Sequence, residues 1–325
     1  MSNQAQRSEF LFLYDTRMAN PNGDPDENRP RIDPYSGKNL VTEYRLKRTI
    51  RDYLQNAGKP IFIRQDLKPD GNNKTIEELA GDFITETTTE SKGKEGKHKE
   101  IEQKTVNKDA LIRGHIDVRL FGLLFTVTGI NFKQTGPVQF AIGQSLNIVQ
   151  EIKVRNTRIV PTKEDAKGGT FGEKNVLKYS LICFHGFLNQ VVAKDVGLTE
   201  QDVKDMMEAM WYGTSNLSTT SKYGQISRLL VRVIHDEDRA YIGDLDRTLK
   251  LNKTSDLEDI SHAGLDISAL LALLENNKDI ISKVQYAVKE DLKVVKDANE
   301  VNAGAMIRDW SSKSGIAVEN LFPRD

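Results

Sequence analysis

The segments of this chain with clear hydrophobic periodicity come in one order: strand, helix, strand, strand, helix, strand. A long polar insertion follows the first helix. Phe10-Leu11-Phe12-Leu13-Tyr14 is an apolar run rich in aromatics and too short for a helix, which predicts a central strand. It runs into Asn20-Pro21-Asn22-Gly23-Asp24-Pro25-Asp26, a density of turn formers that marks a loop. Thr42 can cap the next segment, helical through about Leu54, where Leu46, Ile50, Tyr53 and Leu54 recur at the spacing of one buried face. Strand signal returns from Gly136 through Val154 and again over residues 176–187, read as a long hairpin with a polar, glycine-rich tip at 161–174. Thr199-Glu200-Gln201-Asp202 opens a second helix with capping-box-like chemistry. Val203, Met206, Met207, Met210 and Trp211 form its apolar face, and Gly213 is expected to end it. Residues 226–234 supply the last strand. This is the βαββαβ order of RRM and ferredoxin-like domains, so the expected fold class is α+β.

At 325 residues the chain is one elaborated domain or two. Residues 85–100 contain no apolar side chain and nearly cancelling charges, which predicts an irregular, solvated insertion tip. Order is expected to return at Ala110, with residues 117–124 in a helix. The single cysteine, Cys183, excludes an intramolecular disulfide and a cysteine zinc site, and the five histidines show no metal-binding spacing. No signal peptide is expected, and no apolar stretch approaches the roughly 18 residues needed to cross a bilayer. A cytoplasmic location with no membrane partner follows as an expectation. The net charge of −1 excludes a uniformly basic coat, so any nucleic-acid site must be a local patch.

The best such patch lies on the first helix. At about 100° per residue, Tyr44, Lys47, Arg48 and Arg51 share an outer face away from Leu46, and Arg45 lies on the other flank. The upstream loop adds Arg29, Arg31 and Lys38, with only Asp33 and Glu43 to offset them between Arg29 and Arg51. Phosphates need local positive charge, and an aromatic can stack on a base. Asp24, Asp26 and Asn28 mimic the start of a calcium loop, but Arg29 and Tyr35 stand where glycine and glutamate are required. The aspartates are read as turn residues. Gly168-Gly169-Thr170-Phe171-Gly172-Glu173-Lys174 lacks the spacing of a phosphate-binding P-loop. An aromatic among glycines at a hairpin tip can instead insert between bases. His185 alternates with Cys183 and Phe187 and is read as structural. The aromatics that let an RRM sheet stack bases are missing, so RNA would not use the usual sheet face. No catalytic residue, metal or cofactor is expected.

Seven spaced segments resemble one family. They are Phe10-Leu11-Phe12-Leu13-Tyr14-Asp15, Asn20-Pro21-Asn22-Gly23-Asp24-Pro25, Pro30-Arg31-Ile32-Asp33-Pro34, Leu46-Lys47-Arg48-Thr49-Ile50-Arg51-Asp52-Tyr53, Asp117-Val118-Arg119-Leu120-Phe121-Gly122, Gly136-Pro137-Val138-Gln139 and Thr170-Phe171-Gly172-Glu173-Lys174. The chain resembles the CRISPR-associated Cas-seven family, the crRNA-binding backbone subunit of type I Cascade, most closely its type I-B branch and then type I-C. The resemblance runs from about residue 9 to 234. It implies an RRM-like palm (1–59 and 136–240), an inserted finger region (60–135, with a disordered tip near 85–108), a thumb hairpin at about 150–178 and a C-terminal palm extension (241–325).

Such subunits stack head to tail along one crRNA. Each thumb displaces one base, and the bases between are presented to target DNA. The implied partners are crRNA, the paired target DNA strand, further copies of the chain, and other Cascade subunits: a 5′-end cap subunit, a large subunit and a crRNA-processing endoribonuclease. The backbone itself does not cut DNA. The RNA-binding residues expected here are Asn20, Asn22, Gly23, Arg31, Tyr44, Arg45, Lys47, Arg48, Arg51, Gln144, Phe171, Gly172 and Lys174. The alternative is an endoribonuclease of the related type III backbone kind, with Asp33 as its loop aspartate.

Overall fold

The computed structural model describes residues 4–27, 29–92, 98–127, 130–157, 171–296 and 299–323. The chain opens with β1 (Ser8–Ala19), β2 (Lys38–Val41), α1 (Glu43–Asn56), α2 (Ile76–Ala80), β3 (Ile84–Lys92), β4 (His98–Val106), α3 (Lys108–Gly114) and α4 (Ile116–Phe121). It continues with β5 (Gly122–Val127), β6 (Ile130–Thr135), β7 (Val138–Phe140), β8 (Gly143–Ile148), β9 (Glu151–Thr157), β10 (Phe171–Leu188), α5 (Gln190–Val196), α6 (Glu200–Ser215) and β11 (Ile226–His235). The last part carries β12 (Lys250–Leu251), β13 (Leu265–Asp266), α7 (Ser268–Asn276), β14 (Ile281–Val288), β15 (Lys293–Lys296), β16 (Asn299–Asn302), α8 (Ala303–Ser314) and β17 (Val318–Asn320). The architecture is mixed α+β. Among the described residues, no helix is long and apolar enough to cross a membrane.

The chain divides into two compact units, one of residues 1–6, 50–139 and 188–209, the other of 7–49, 140–187 and 210–325. The second holds the main sheet, whose strands run β17-β14-β11-β1-β10-β8-β2. β1 pairs antiparallel with β11 from Ser8↔Ile234 to Asp15↔Ile226, and β10 pairs antiparallel with β8. Alternation sends successive side chains of β1 to opposite faces. Leu11 and Leu13 join Tyr179, Leu181, Leu229, Val231 and Val233 in a core with Leu270, Leu274, Ile307 and Trp310 from α7 and α8. Phe10, Phe12 and Tyr14 are buried as well, with Tyr14 stacked 6.3 Å from Phe184. Burial on both faces explains why β1 reads as an unbroken apolar run. The C-terminal segment therefore covers one face of the sheet. It also adds β14 and β17 to the sheet's edge and builds a second sheet, β12-β13-β15-β16.

The other unit corrects two expectations. Residues 84–92 and 98–106 pair as regular antiparallel strands, β3 with β4, from Ile84↔Val106 to Lys92↔His98, in place of the expected irregular segment; residues 93–97 between them lie outside the described residues. Strand pairing needs no apolar face here, because backbone groups satisfy one another. The helix expected over residues 117–124 stops at Phe121, and β5 begins at Gly122 to pair with β6. Gly122 takes φ +75°, and a Cβ there would lie 2.2 Å from the Gln134 carbonyl oxygen, so only glycine permits this corner. Phe62, Leu111, Val118, Leu123, Phe125 and Phe132 form this unit's core. At the start of α6, Asp202 N donates to Thr199 Oγ1 (3.1 Å) and Thr199 N to Asp202 Oδ2 (3.0 Å), the reciprocal cap expected from the sequence. The helix continues through Gly213 to Ser215.

His185 has a structural partner. The fully buried Glu9 carboxylate meets His185 Nε2 (3.3 Å) and His235 Nε2 (3.0 Å), and accepts from Ile242 N (2.7 Å) and Gly243 N (2.8 Å). Burial works against its ionisation, but the two histidines and two amides outweigh it and lower its pKa from 4.5 to about 2. A depressed carboxyl stabilises the fold above its unfolded pKa and loses that contribution as pH falls through the folded one. Glu9→Gln is therefore expected to cost about 3 kcal/mol near neutral pH. Chemical denaturation should show the gap to wild type closing as pH falls from about 4.5 to about 2. A gap independent of pH over that window would mean that ionised Glu9 contributes nothing.

Candidate nucleic-acid interface

Three segments of the sheet-bearing unit come together at the end of β1. Asn20 N donates to Ser221 O (2.8 Å), which ties the loop after β1 to the loop before β11. The Asn22 carboxamide oxygen accepts from Thr42 N (2.8 Å) and Thr42 Oγ1 (2.9 Å), fixing the same loop against the start of α1. Thr42 in turn holds the first turn of α1, accepting from Arg45 N at its carbonyl (3.0 Å). Gly23 bridges to Pro30, and Asp24 pairs with Arg31 (3.4 Å). The asparagines thus position backbone, and Arg31 already has a carboxylate.

Arg45, half-buried at the start of α1, lies in the field of half-buried Lys222. Burial, and then the charge of Arg45, push the Lys222 ammonium below its usual range. Positive charge therefore gathers beside the positive end of a helix, an electrostatic setting that favours an anion. Lys174 on β10 donates to Thr220 O (2.5 Å) in the same loop, and Tyr223 beside it is 77% exposed. Tyr44 on α1 is also exposed.

Other expected residues fall elsewhere. Lys47 and Arg51 do not stand on an outer face. Lys47 is buried. Arg51 donates from Nε to Asp117 Oδ2 (2.9 Å), and its guanidinium lies 5.3 Å from the Phe121 ring centroid. Asp117 is fully buried and needs a countercharge, which a hydropathy wheel does not register. Arg48 is half-buried on the same helix. Gln144 is exposed on β8, opposite Leu40 and Cys183. Arg29 is held by Glu151 (2.6 Å). Gly172 and Lys174 lie in strand β10, paired with Asn156 and Val154. Only the backbone of Phe171 is described, and the glycine-rich tip with Gly168 and Gly169 lies outside the described residues.

Asp33 closes a turn, accepting from Tyr35 N (3.2 Å), Ser36 N (3.2 Å) and the Ser36 hydroxyl. The Ser36 hydroxyl and the Tyr35 amide hold its carboxyl below the usual range.

Lys222, Tyr223, Arg17 and Met18 were not singled out by sequence reasoning. The available signal was Ser218-Thr219-Thr220-Ser221-Lys222-Tyr223-Gly224, a hydroxyl-rich loop with a cation and an aromatic after a helix.

The family model for CRISPR-associated protein Cas7 matches residues 6–268. The chain belongs to the Cas7 family. The CRISPR-associated protein Cas7 of Haloferax volcanii is 30% identical over 298 residues, covering 85% of this chain and 84% of that protein. A solved chain from a "CRISPR RNA-guided surveillance complex, pre-nicking" is similar over 95% of this chain and 100% of its own, with TM-score 0.52 and 13% identity. At that identity the likeness speaks for the fold.

Proposed function

We propose that this Cas7-family chain is the crRNA-binding backbone subunit of a type I CRISPR Cascade, a cytoplasmic particle in which copies polymerise along the guide and present it to invading DNA. The observation that carries the reading is the Arg45–Lys222 pair at the start of α1, in a chain of this family. The sheet from β1 to β11 is read as the RRM-like palm, residues 60–135 as the finger, β9 with β10 as the thumb, and 241–325 as a palm extension. The covered sheet face supports an RNA path along the loops and the start of α1. The 5′-end cap subunit, the large subunit and the crRNA-processing endoribonuclease complete the proposed particle. Guide pairing then supplies sequence specificity, and the protein holds backbone and shape. Head-to-tail contacts related by a helical rotation do not close, which suits a filament.

Sequencing the nucleic acid that co-purifies with the chain, expressed beside its neighbouring genes, tests the reading. A discrete, repeat-derived RNA is expected, and random cellular RNA or none would overturn it. The non-enzymatic part has its own test. Asp33→Ala is expected to leave crRNA binding and target DNA capture at wild-type levels, because the carboxylate's bonds serve a turn. Metal-dependent cutting of complementary RNA by wild type, lost in Asp33→Ala, would establish the endoribonuclease instead.

A further inference from the structure

A cavity of about 480 Å³ lies within the sheet-bearing unit, lined from β1, β10, β11, the loop before β11 and Asp259, whose carboxylate accepts from Ser261 N (3.0 Å). Its lining includes three exposed apolar side chains, Met18, Tyr223 and Ile226. Met18 is held at φ 48°, a left-handed backbone that a methionine seldom adopts and that gathers at functional sites. The polar part of the lining is rigid. Asp15, Tyr179 and Arg228 are each at least nine-tenths buried. Tyr179 Oη donates to Asp15 Oδ2 (3.0 Å), as do Arg228 Nε (3.0 Å) and Nη2 (2.9 Å). All three bonds go to one oxygen, so Oδ1 takes none of them. Arg17 and Lys174 add positive charge to the wall.

We propose that this cavity binds a single nucleotide. Its base lies between Met18 and Tyr223, its edge faces Asp15, and its phosphate meets Arg17 and Lys174. The volume suits a ligand of that size, the wall joins apolar side chains to charged groups of both signs as a base with its phosphate requires, and any base can stack on an aromatic face. The carboxylate adds a preference. Ionised against Arg228, Asp15 Oδ1 accepts, so it favours the exposed exocyclic amine of adenine or cytosine over uracil, whose one N–H donor sits between two carbonyl oxygens that the carboxylate repels. The source of the nucleotide rests on the RNA-binding reading. A free mononucleotide and a nucleotide of the bound strand carry the same groups.

Saturation-transfer NMR on the full chain with adenosine, cytidine and uridine 5′-monophosphates tests the pocket. Transfer to base protons is expected to be stronger for the adenine and cytosine nucleotides than for uracil. Tyr223→Ala should weaken binding by about tenfold. Met18→Gly should weaken it as well; both side chains are exposed and glycine suits the backbone at position 18, so neither change threatens the fold. Single-stranded RNA that displaces the adenine nucleotide identifies the bound strand as the source, and RNA that binds without displacing it identifies a free nucleotide. Absence of transfer to all three nucleotides, or transfer unchanged in both variants, overturns the pocket. RNA affinity, read separately by anisotropy, keeps the two ideas apart. RNA binding without mononucleotide binding sinks the pocket alone, and mononucleotide binding without RNA binding sinks the backbone reading alone.

Discussion

Arg45→Glu combined with Lys222→Glu is expected to weaken guide RNA binding by about a hundredfold or more and to stop multi-copy assembly, with the monomer still folded. Both cations are half-buried, and after burial itself the charge of Arg45 is what disfavours that of Lys222. A phosphate is the group that reverses this penalty, and the helix start beside them adds to its stabilisation. The fold should tolerate the change, because a carboxylate in the first turn of a helix is favourable. Each lost phosphate contact should also lower the slope of log affinity against log salt by about one unit. Anisotropy titrations over a salt series, beside thermal melts of the free proteins, make the measurement. Wild-type affinity and slope in a folded double variant would remove this pair from the RNA path.

Why this pair was not legible in the sequence is a matter of distance along the chain. Periodicity finds β1 and the buried side of α1 because Leu46, Ile50 and Leu54 carry the signal locally. Lys222 reaches the start of α1 only through the fold, when the Asn20 amide docks on Ser221. The pairing of β9 with β10 was legible from two flanking strand signals. The β5–β6 hairpin was not. Its start depends on Gly122 and Gly136 allowing backbone contacts closer than a Cβ could make, and no hydrophobic pattern records that. The C-terminal sheet is built from strands of two to four residues, β12, β13, β15 and β16, too short to show a period of two. Of that region α7 carries the legible pattern, leucines recurring at helical spacing.

The charged residues of α1 show the opposite error, and the second prediction comes from it. Asp117→Ala is expected to destabilise the protein by about 3–5 kcal/mol. The carboxylate is fully buried and accepts from Arg51 Nε (2.9 Å), Phe62 N (2.8 Å) and Ile63 N (3.1 Å). Removing it strands the buried Phe62 amide and the part-buried Ile63 amide and leaves a guanidinium without its countercharge. Arg51→Glu should be at least as damaging, since it sets a second carboxylate against the first. Arg51→Met keeps the stem and loses the charge, so it isolates the electrostatic part. Its RNA binding is expected to fall only as the folded fraction falls, because Arg51 is committed to Asp117 and Phe121. Denaturant melts and RNA titrations on the same Arg51→Met sample separate the two roles. Unchanged stability with a large loss of affinity would return Arg51 to the RNA interface. A loss of both in proportion leaves Arg51 as the residue that balances Asp117.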